Sequence, residues 1–273
     1  MTSAIDLVRL LRAALPSEFQ VDDYLDAGGQ GAVFRGKYRG EDAALKVFAA
    51  SQDPRRLQRE IALLQQLDHP NVVKIRAVTS INLSGQVCWV VAYEFLRGGD
   101  LRNLLSPAQP PISGAQLSKI GGDISAAIEA LWIKRIVHRD VKPANIVIAD
   151  PDRYVLVDLG LARHLDRSTL TLVGFMVGTQ GYMSPEQARG RRHLTIHSDV
   201  FSLGVTLYEL ASRQHPFQGN QGLIGSRNPA SLSTLRGDLP TSLTRLIEQM
   251  MVVSPALRPT GLSFRFNQMQ GVM

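Results

Sequence analysis

The chain has 273 residues, 30 Lys and Arg against 24 Asp and Glu, and a formal net charge of +6 at pH 7. Hydrophobic residues at 44% with 23 glycines and 14 prolines exclude a disordered, collagenous or low-complexity chain. The positive charge is scattered and aromatics reach only 6%, so a stacking platform for nucleic acid is not expected, and no apolar run is long enough for a membrane span.

AIDLVRLLRAAL (4–15) predicts a short amphipathic helix with Ile5, Val8, Leu11 and Leu15 on one side, ended by Pro16 and docked on its own domain. Asp6, Arg9 and Arg12 rule it out as a secretory apolar core, and the expected setting is the cytosol. From Phe19 to Phe95 short β runs dominate: FQVDDYLDA, AVFRGKY, AALKVFAA, VVKIRAV and QVCWVVAYEF. One helix interrupts them, opened by Pro54 and carrying Ile61, Leu64 and Leu67 at helical spacing. Cys88, the sole cysteine, reads as a small core hydrophobe.

After Phe95 the pattern turns helical. GGDLRNLL starts a helix, SPAQPPISG is a connector, and QLSKIGGDISAAIEALWIKR is a long helix in spite of Gly121 and Gly122. NIVIA and YVLVDL are short β runs, and SDVFSLGVTLYELASR is apolar nearly all round, as a buried central helix would be. The run Arg189, Arg191, Arg192 and His193 reads as a solvated loop, and His193 and His197 as solvated loop residues rather than metal ligands. Residues 219–240 predict a loop with a short helix. The chain divides into an N-terminal helical extension (1–18), a β-rich lobe (19–95) and a helical lobe (96–273).

Three motifs carry chemistry. Gly28, Gly29 and Gly31 lie between two strands, where backbone N–H groups can approach phosphate oxygens without a Cβ in the way. A strand follows, which excludes a dinucleotide-binding turn but leaves an ordinary hairpin open. Lys46 is the one charge in the apolar run AALKVF, with Glu60 its natural partner on the helix face of Leu64. The pair reads as a phosphate clamp, or Lys46 as a surface lysine at a strand edge. HRDVKPAN (138–145) gathers a carboxylate, two cations, an imidazole and an amide, and Asp158-Leu159-Gly160 follows closely. Asn145 and Asp158 offer the hard oxygens that magnesium takes when it is shared with phosphates.

With these elements in this order, the sequence resembles the eukaryotic-type protein kinase family over about residues 19–265. The resemblance implies an α+β, two-lobed protein kinase fold: a small antiparallel sheet with one main helix, and a larger helical lobe. It implies an ATP- and Mg2+-dependent enzyme acting on protein serine and threonine hydroxyls, since Lys142 follows the serine/threonine pattern. By position, Lys46 would hold the α- and β-phosphates and Glu60 would orient it, Asp140 would accept the hydroxyl proton, and Lys142 would neutralise the transferred phosphate. Gly28, Gly29 and Gly31 would cover the phosphates, and Asn145 and Asp158 would bind magnesium. Val33 and Ala44 would sandwich the adenine, Glu94 to Leu96 would supply backbone contacts, and Thr179 would touch Asp140 and Lys142. Arg258 would pair with Glu186 and Asp199 would brace the catalytic loop.

The resemblance extends to regulation and to a bacterial type of member. Arg139 before Asp140 implies a phosphate on the activation segment, with Ser168, Thr169 and Thr171 available and autophosphorylation expected at Thr169 or Thr171. Some positions depart from the family: Asp26 stands where the first loop glycine belongs, Tyr93 is the gatekeeper, Leu159 replaces Phe, Ser184 replaces Ala and Phe201 replaces Trp. Asp26 keeps a pseudokinase, binding nucleotide without catalysis, as the alternative. A small-molecule phosphotransferase is a third reading, which Ser184-Pro185-Glu186 and Thr179 disfavour.

Overall fold

The computed structural model describes residues 4–28, 31–49, 54–150, 152–159, 179–191 and 193–270, with the side chains of residues 4, 5, 27, 49, 54–57, 59, 60 and 150 outside that set. Among the described residues two compact units appear. The first holds residues up to 68 and 73–97, and the second holds 69–72, 98–159 and 179–270.

The first unit is a five-stranded antiparallel sheet in the order β1-β2-β3-β5-β4, built from β1 (Phe19–Gly28), β2 (Gly31–Tyr38), β3 (Glu41–Ala49), β4 (Ile75–Leu83) and β5 (Gln86–Glu94). One face buries Phe34, Leu45, Val47, Val90 and Ala92 together with Cys88. Helix α1 (Ala4–Ala14) covers that face: Leu11 is fully buried, and Leu7, Val8, Ala14 and Leu15 pack beside it. Arg12 secures α1 from the side, donating from Nε to Val21 O at 2.7 Å and from Nη2 to Asp22 O at 2.9 Å. Helix α2 (Pro54–Gln65) buries Ile61 and Leu64 at helical spacing, and ends before Leu67.

The second unit is mostly helical. Helix α3 (Gly114–Ile133) begins at Ser113, whose side chain accepts from Gln116 N at 3.1 Å, and it packs lengthwise on α8 (Leu262–Gln270). Between them lie α4 (Pro185–Ala188), α5 (Ile196–Ser212), α6 (Leu232–Leu235) and α7 (Thr241–Met250). Every residue of α5 from Ser198 to Tyr208 is buried. Its polar members are satisfied partly inside the helix, Thr206 Oγ1 donating to Ser202 O at 2.9 Å, and partly outside it, Ser198 Oγ donating to Glu186 Oε1 at 2.8 Å. A hairpin of β6 (Ile146–Asp150) and β7 (Arg153–Leu156) completes the unit. Residues 69–72 join it because Leu156 N donates to Asn71 O at 2.8 Å and Asn71 Nδ2 donates to Tyr154 O at 2.9 Å.

The GGDLRNLL segment forms a 3₁₀ turn (Leu101–Leu105) rather than an α-helix start, capped by the Asp100 side chain on Arg102 N. Arg189, Arg191 and His193 are exposed, and Arg192 lies outside the described residues. His197 corrects the expectation of a solvated loop residue. It sits in the first turn of α5, half-buried, and burial followed by the nearby Arg258 charge lowers its pKa. No helix among the described residues is long and apolar enough to cross a membrane.

Candidate active site

The loop before β6 is organised around Asp140. This residue is 3% exposed, and both of its carboxylate oxygens are occupied. Thr179 donates from Oγ1 at 2.9 Å and from its backbone N at 3.2 Å to Oδ1. Asn145 Nδ2 donates to Oδ2 at 2.8 Å, and Lys142 Nζ lies 3.0 Å from the same oxygen. Lys142 Nζ also donates to Thr179 Oγ1 at 2.5 Å, so lysine, threonine and aspartate form a closed triangle. Such an arrangement fixes the direction of the carboxylate and sets a cation beside it.

The loop backbone is fixed from beneath by Asp199 of α5. Its Oδ2 accepts from His138 N and its Oδ1 from Arg139 N, both at 2.8 Å. Burial pushes the Asp199 pKa up, while His138, Arg139 and these two N–H groups act against that rise. Arg139 adopts φ 68 and Asp158 φ 59, left-handed conformations that cost about 1–3 kcal/mol each for residues with a Cβ. Gln187 of α4 braces the strained loop further, donating from Nε2 to Arg139 O at 2.8 Å. No periodicity or motif spacing marks Gln187, whereas Asp199 was legible.

His138 is a structural link. Its Nε2 bonds Val157 O at 2.9 Å and its Nδ1 accepts from Asp140 N at 3.3 Å, which assigns the proton to Nε2. Val157 N donates to Asn145 O at 2.9 Å, so the residue before Asp158 is tied to the loop of Asp140 on both sides. Asn145 spends its amide N–H groups on Asp140 Oδ2 and Asp140 O, both at 2.8 Å, which turns its Oδ1 the other way. That oxygen and the Asp158 carboxylate are hard donors suited to a magnesium ion that keeps phosphate and water ligands.

The end of the segment beyond Thr179 is locked by an ion pair. Arg258 donates from Nη1 to Glu186 Oε1 at 2.7 Å and from Nη2 to Glu186 Oε2 at 2.9 Å, a bidentate fork in which Arg258 is 3% exposed. The guanidinium also donates to His197 O, Val252 O and Val253 O, and lies over the Phe201 ring at 5.0 Å. Burial would raise the Glu186 pKa, but Arg258 overrides it and holds the carboxyl below its usual range. Ser184, where the family carries Ala, uses its hydroxyl to cap α4 at Gln187 N.

In the first unit the strand register brings the remaining residues onto one face. Val33 stands opposite Lys46, Lys46 opposite Val91, and Ala44 opposite Tyr93. Lys46 is 9% exposed, which excludes the reading of a surface lysine at a strand edge. Asp26 stands opposite Val33, on the same face, with its side chain exposed. Gly28 pairs with Gly31, whose φ is +125 and whose place a Cβ could not share, since it would stand 2.4 Å from Val47 O. Glu94 closes β5, its N donating to Lys74 O at 3.0 Å and its Oε1 accepting from Lys74 N at 2.9 Å, and Leu96 follows half-buried. The Glu60 side chain, Gly29, Gly160, Ser168, Thr169, Thr171 and Gly178 lie outside the described residues.

Comparison with known proteins agrees with this geometry. Residues 19–270 match the model of the protein kinase domain family. The chain is 36% identical over 200 residues to RasGEF domain-containing serine/threonine-protein kinase X of Dictyostelium discoideum, covering 72% of this chain and 20% of that protein. It is 30% identical over 278 residues to serine/threonine-protein kinase pkn3 of Myxococcus xanthus, covering 93% and 50%. It is 33% identical over 214 residues to serine/threonine-protein kinase PknB of Mycobacterium leprae, covering 76% and 34%. The chain thus spans half or less of the length of these relatives. Its fold is similar to a double mutant of the Mycobacterium tuberculosis PknI kinase domain, with TM-score 0.71 and 23% identity over 94% of this chain and 95% of that one. A match from Phe19 to Gln270, with the buried Asp140 cluster and the Arg258–Glu186 fork inside it, makes this chain a member of the protein kinase domain family.

Proposed function

We propose that this chain transfers the γ-phosphate of ATP to serine or threonine hydroxyls of proteins. The observation that carries the reading is the convergence of Lys142, Asn145 and Thr179 on the Asp140 carboxylate. Asp140 accepts the proton of the acceptor hydroxyl as its oxygen bonds to the γ-phosphorus, and the bond from that phosphorus to the β–γ bridging oxygen breaks to release ADP. Lys142 neutralises charge on the transferring group, and Lys46, oriented by Glu60, holds the α- and β-phosphates. Gly28, Gly29 and Gly31 cover the phosphates, Val33 and Ala44 flank the adenine, and Glu94 to Leu96 bond it through their backbone. Asn145 and Asp158 hold Mg2+, which when bound neutralises phosphate charge. The Lys142–Thr179 bond supports a serine/threonine acceptor, and autophosphorylation at Thr169 or Thr171 would let a phosphate meet Arg139.

The test is phosphate incorporation from labelled ATP with magnesium, wild type against Asp140→Asn. Removing the general base should cost about 10²–10⁴ in rate. A second reading, nucleotide binding without catalysis, draws on Asp26, a carboxylate on the face that carries Lys46. If the wild type is inert on a generic protein substrate while Asp26→Gly is active, the glycine loop is what disables it. Activity in the wild type that Asp140→Asn abolishes excludes the second reading.

A further inference from the structure

The turn at residues 181–183 begins two residues after Thr179 and is anchored through most of its polar groups. Tyr182 N donates to Thr179 O at 3.2 Å, and Ser202 Oγ of α5 donates to Tyr182 O at 2.7 Å. The Tyr182 hydroxyl donates to the Glu209 carboxylate, and its ring meets that of His215 edge-on at 5.0 Å. The last anchor is one side-chain amide: Gly181 N donates to Gln221 Oε1 at 3.1 Å, and Gln221 Nε2 donates to Met183 O at 2.9 Å. Gln221 therefore grips the turn on both flanks of Tyr182, as a peptide unit of a neighbouring strand would. Gly181 sits at φ +87, and a Cβ there would stand 2.9 Å from Gly219 Cα and from His215 Nε2, so the turn lies directly on the segment leading to Gln221. Asn220 presents that glutamine by capping the 3₁₀ turn Gln221–Leu223 through Gly222 N at 2.9 Å.

We infer that Gln221 is a positioning residue for the protein substrate, setting the turn that continues from Thr179 and so the surface a bound polypeptide meets beside the acceptor hydroxyl. The inference rests on the kinase reading above. Among the described residues the Gln221 side chain makes its hydrogen bonds to backbone atoms of the turn and makes none to Asp140 or Lys142. Loosening it therefore weakens polypeptide binding and leaves the nucleotide-handling residues unmoved.

The test compares Gln221→Leu, which keeps the shape and loses both bonds, with Gln221→Glu, which keeps the acceptor and loses the donor. Steady-state kinetics on a serine/threonine peptide library should show the peptide KM raised about tenfold in Gln221→Leu and less in Gln221→Glu, with the KM for ATP unchanged. An unchanged peptide KM, or equal rises for peptide and ATP, overturns the inference. If the wild type phosphorylates no peptide, the kinase reading fails on its own account. Retention of the library on the immobilised wild type and on Gln221→Leu then decides, equal retention overturning the role of Gln221. Should Gln221→Leu not fold, Gln221→Glu carries the same comparison.

Discussion

His215 shows how much one half-buried side chain contributes. Its Nδ1 accepts from Phe217 N at 3.1 Å and from Gly219 N at 3.0 Å, which holds the ring neutral. Burial pushes its pKa down to about 4. The unfolded chain, titrating near its ordinary value of about 6.5, takes up a proton that the fold refuses. Stability is therefore complete above that value and declines as pH falls from about 6.5 towards 4, by about 1–2 kcal/mol once partial exposure is discounted. His215→Asn keeps an acceptor and does not titrate, so its urea midpoint should fall less between pH 7 and 4.5 than that of the wild type. Arg258 is the second case. Arg258→Met leaves Glu186 buried and uncompensated, which should cost about 3–5 kcal/mol in urea unfolding, and adding Glu186→Gln should recover part of it. Arg258–Glu186 and Asp199 were legible because they lie inside the kinase motifs. Gln187 and Gln221 were not, because each acts through backbone atoms brought close only by the fold.

Among elements, α1 is the clearest link from pattern to packing. Apolar residues at helical spacing imply a face in need of cover, and the sheet supplies it with Phe34, Leu45 and Val90. Leu11→Ala opens a cavity in a fully buried site and should cost about 2–5 kcal/mol, read as a lower urea midpoint. Glycines mislead more easily. Gly121 and Gly122 look like helix breakers, yet α3 runs through both because α8 approaches there: a Cβ on Gly121 would stand 2.6 Å from the Phe266 ring. α7, not singled out from the sequence, buries Leu243, Leu246, Ile247 and Met250 at helical spacing, whereas α8 buries only Leu262 and Phe266. So thin a stripe carries little signal, and its contact with α3 is visible only in the fold.

At the level of the molecule, the chain forms two compact units, and we expect them to unfold in separate transitions. Leu11 belongs to the first and Phe266 to the second, both fully buried. In urea, Leu11→Ala and Phe266→Ala should shift different transitions, followed by hydrogen exchange at β3 and at α3 respectively. A single coincident transition in both variants would contradict this expectation. The antiparallel sheet and the helical second unit match what the resemblance implied, but the assignment of residues 69–72 to the second unit was not legible in the sequence. It depends on Asn71 meeting Tyr154 and Leu156, a pairing between positions more than eighty apart in the chain.

The fit of α8 on α3 has a practical outcome for anyone shortening or tagging the protein. Phe266 fills the groove over Gly121, Gln270 donates to Ser118 O at 3.4 Å, and Ser263 donates to Glu129. A chain cut after residue 261 would expose a glycine-floored trough along a buried helix, a surface suited to self-association. Affinity handles and reporters therefore belong beyond residue 270, and deletion series that end inside 262–270 should give aggregates rather than smaller soluble domains.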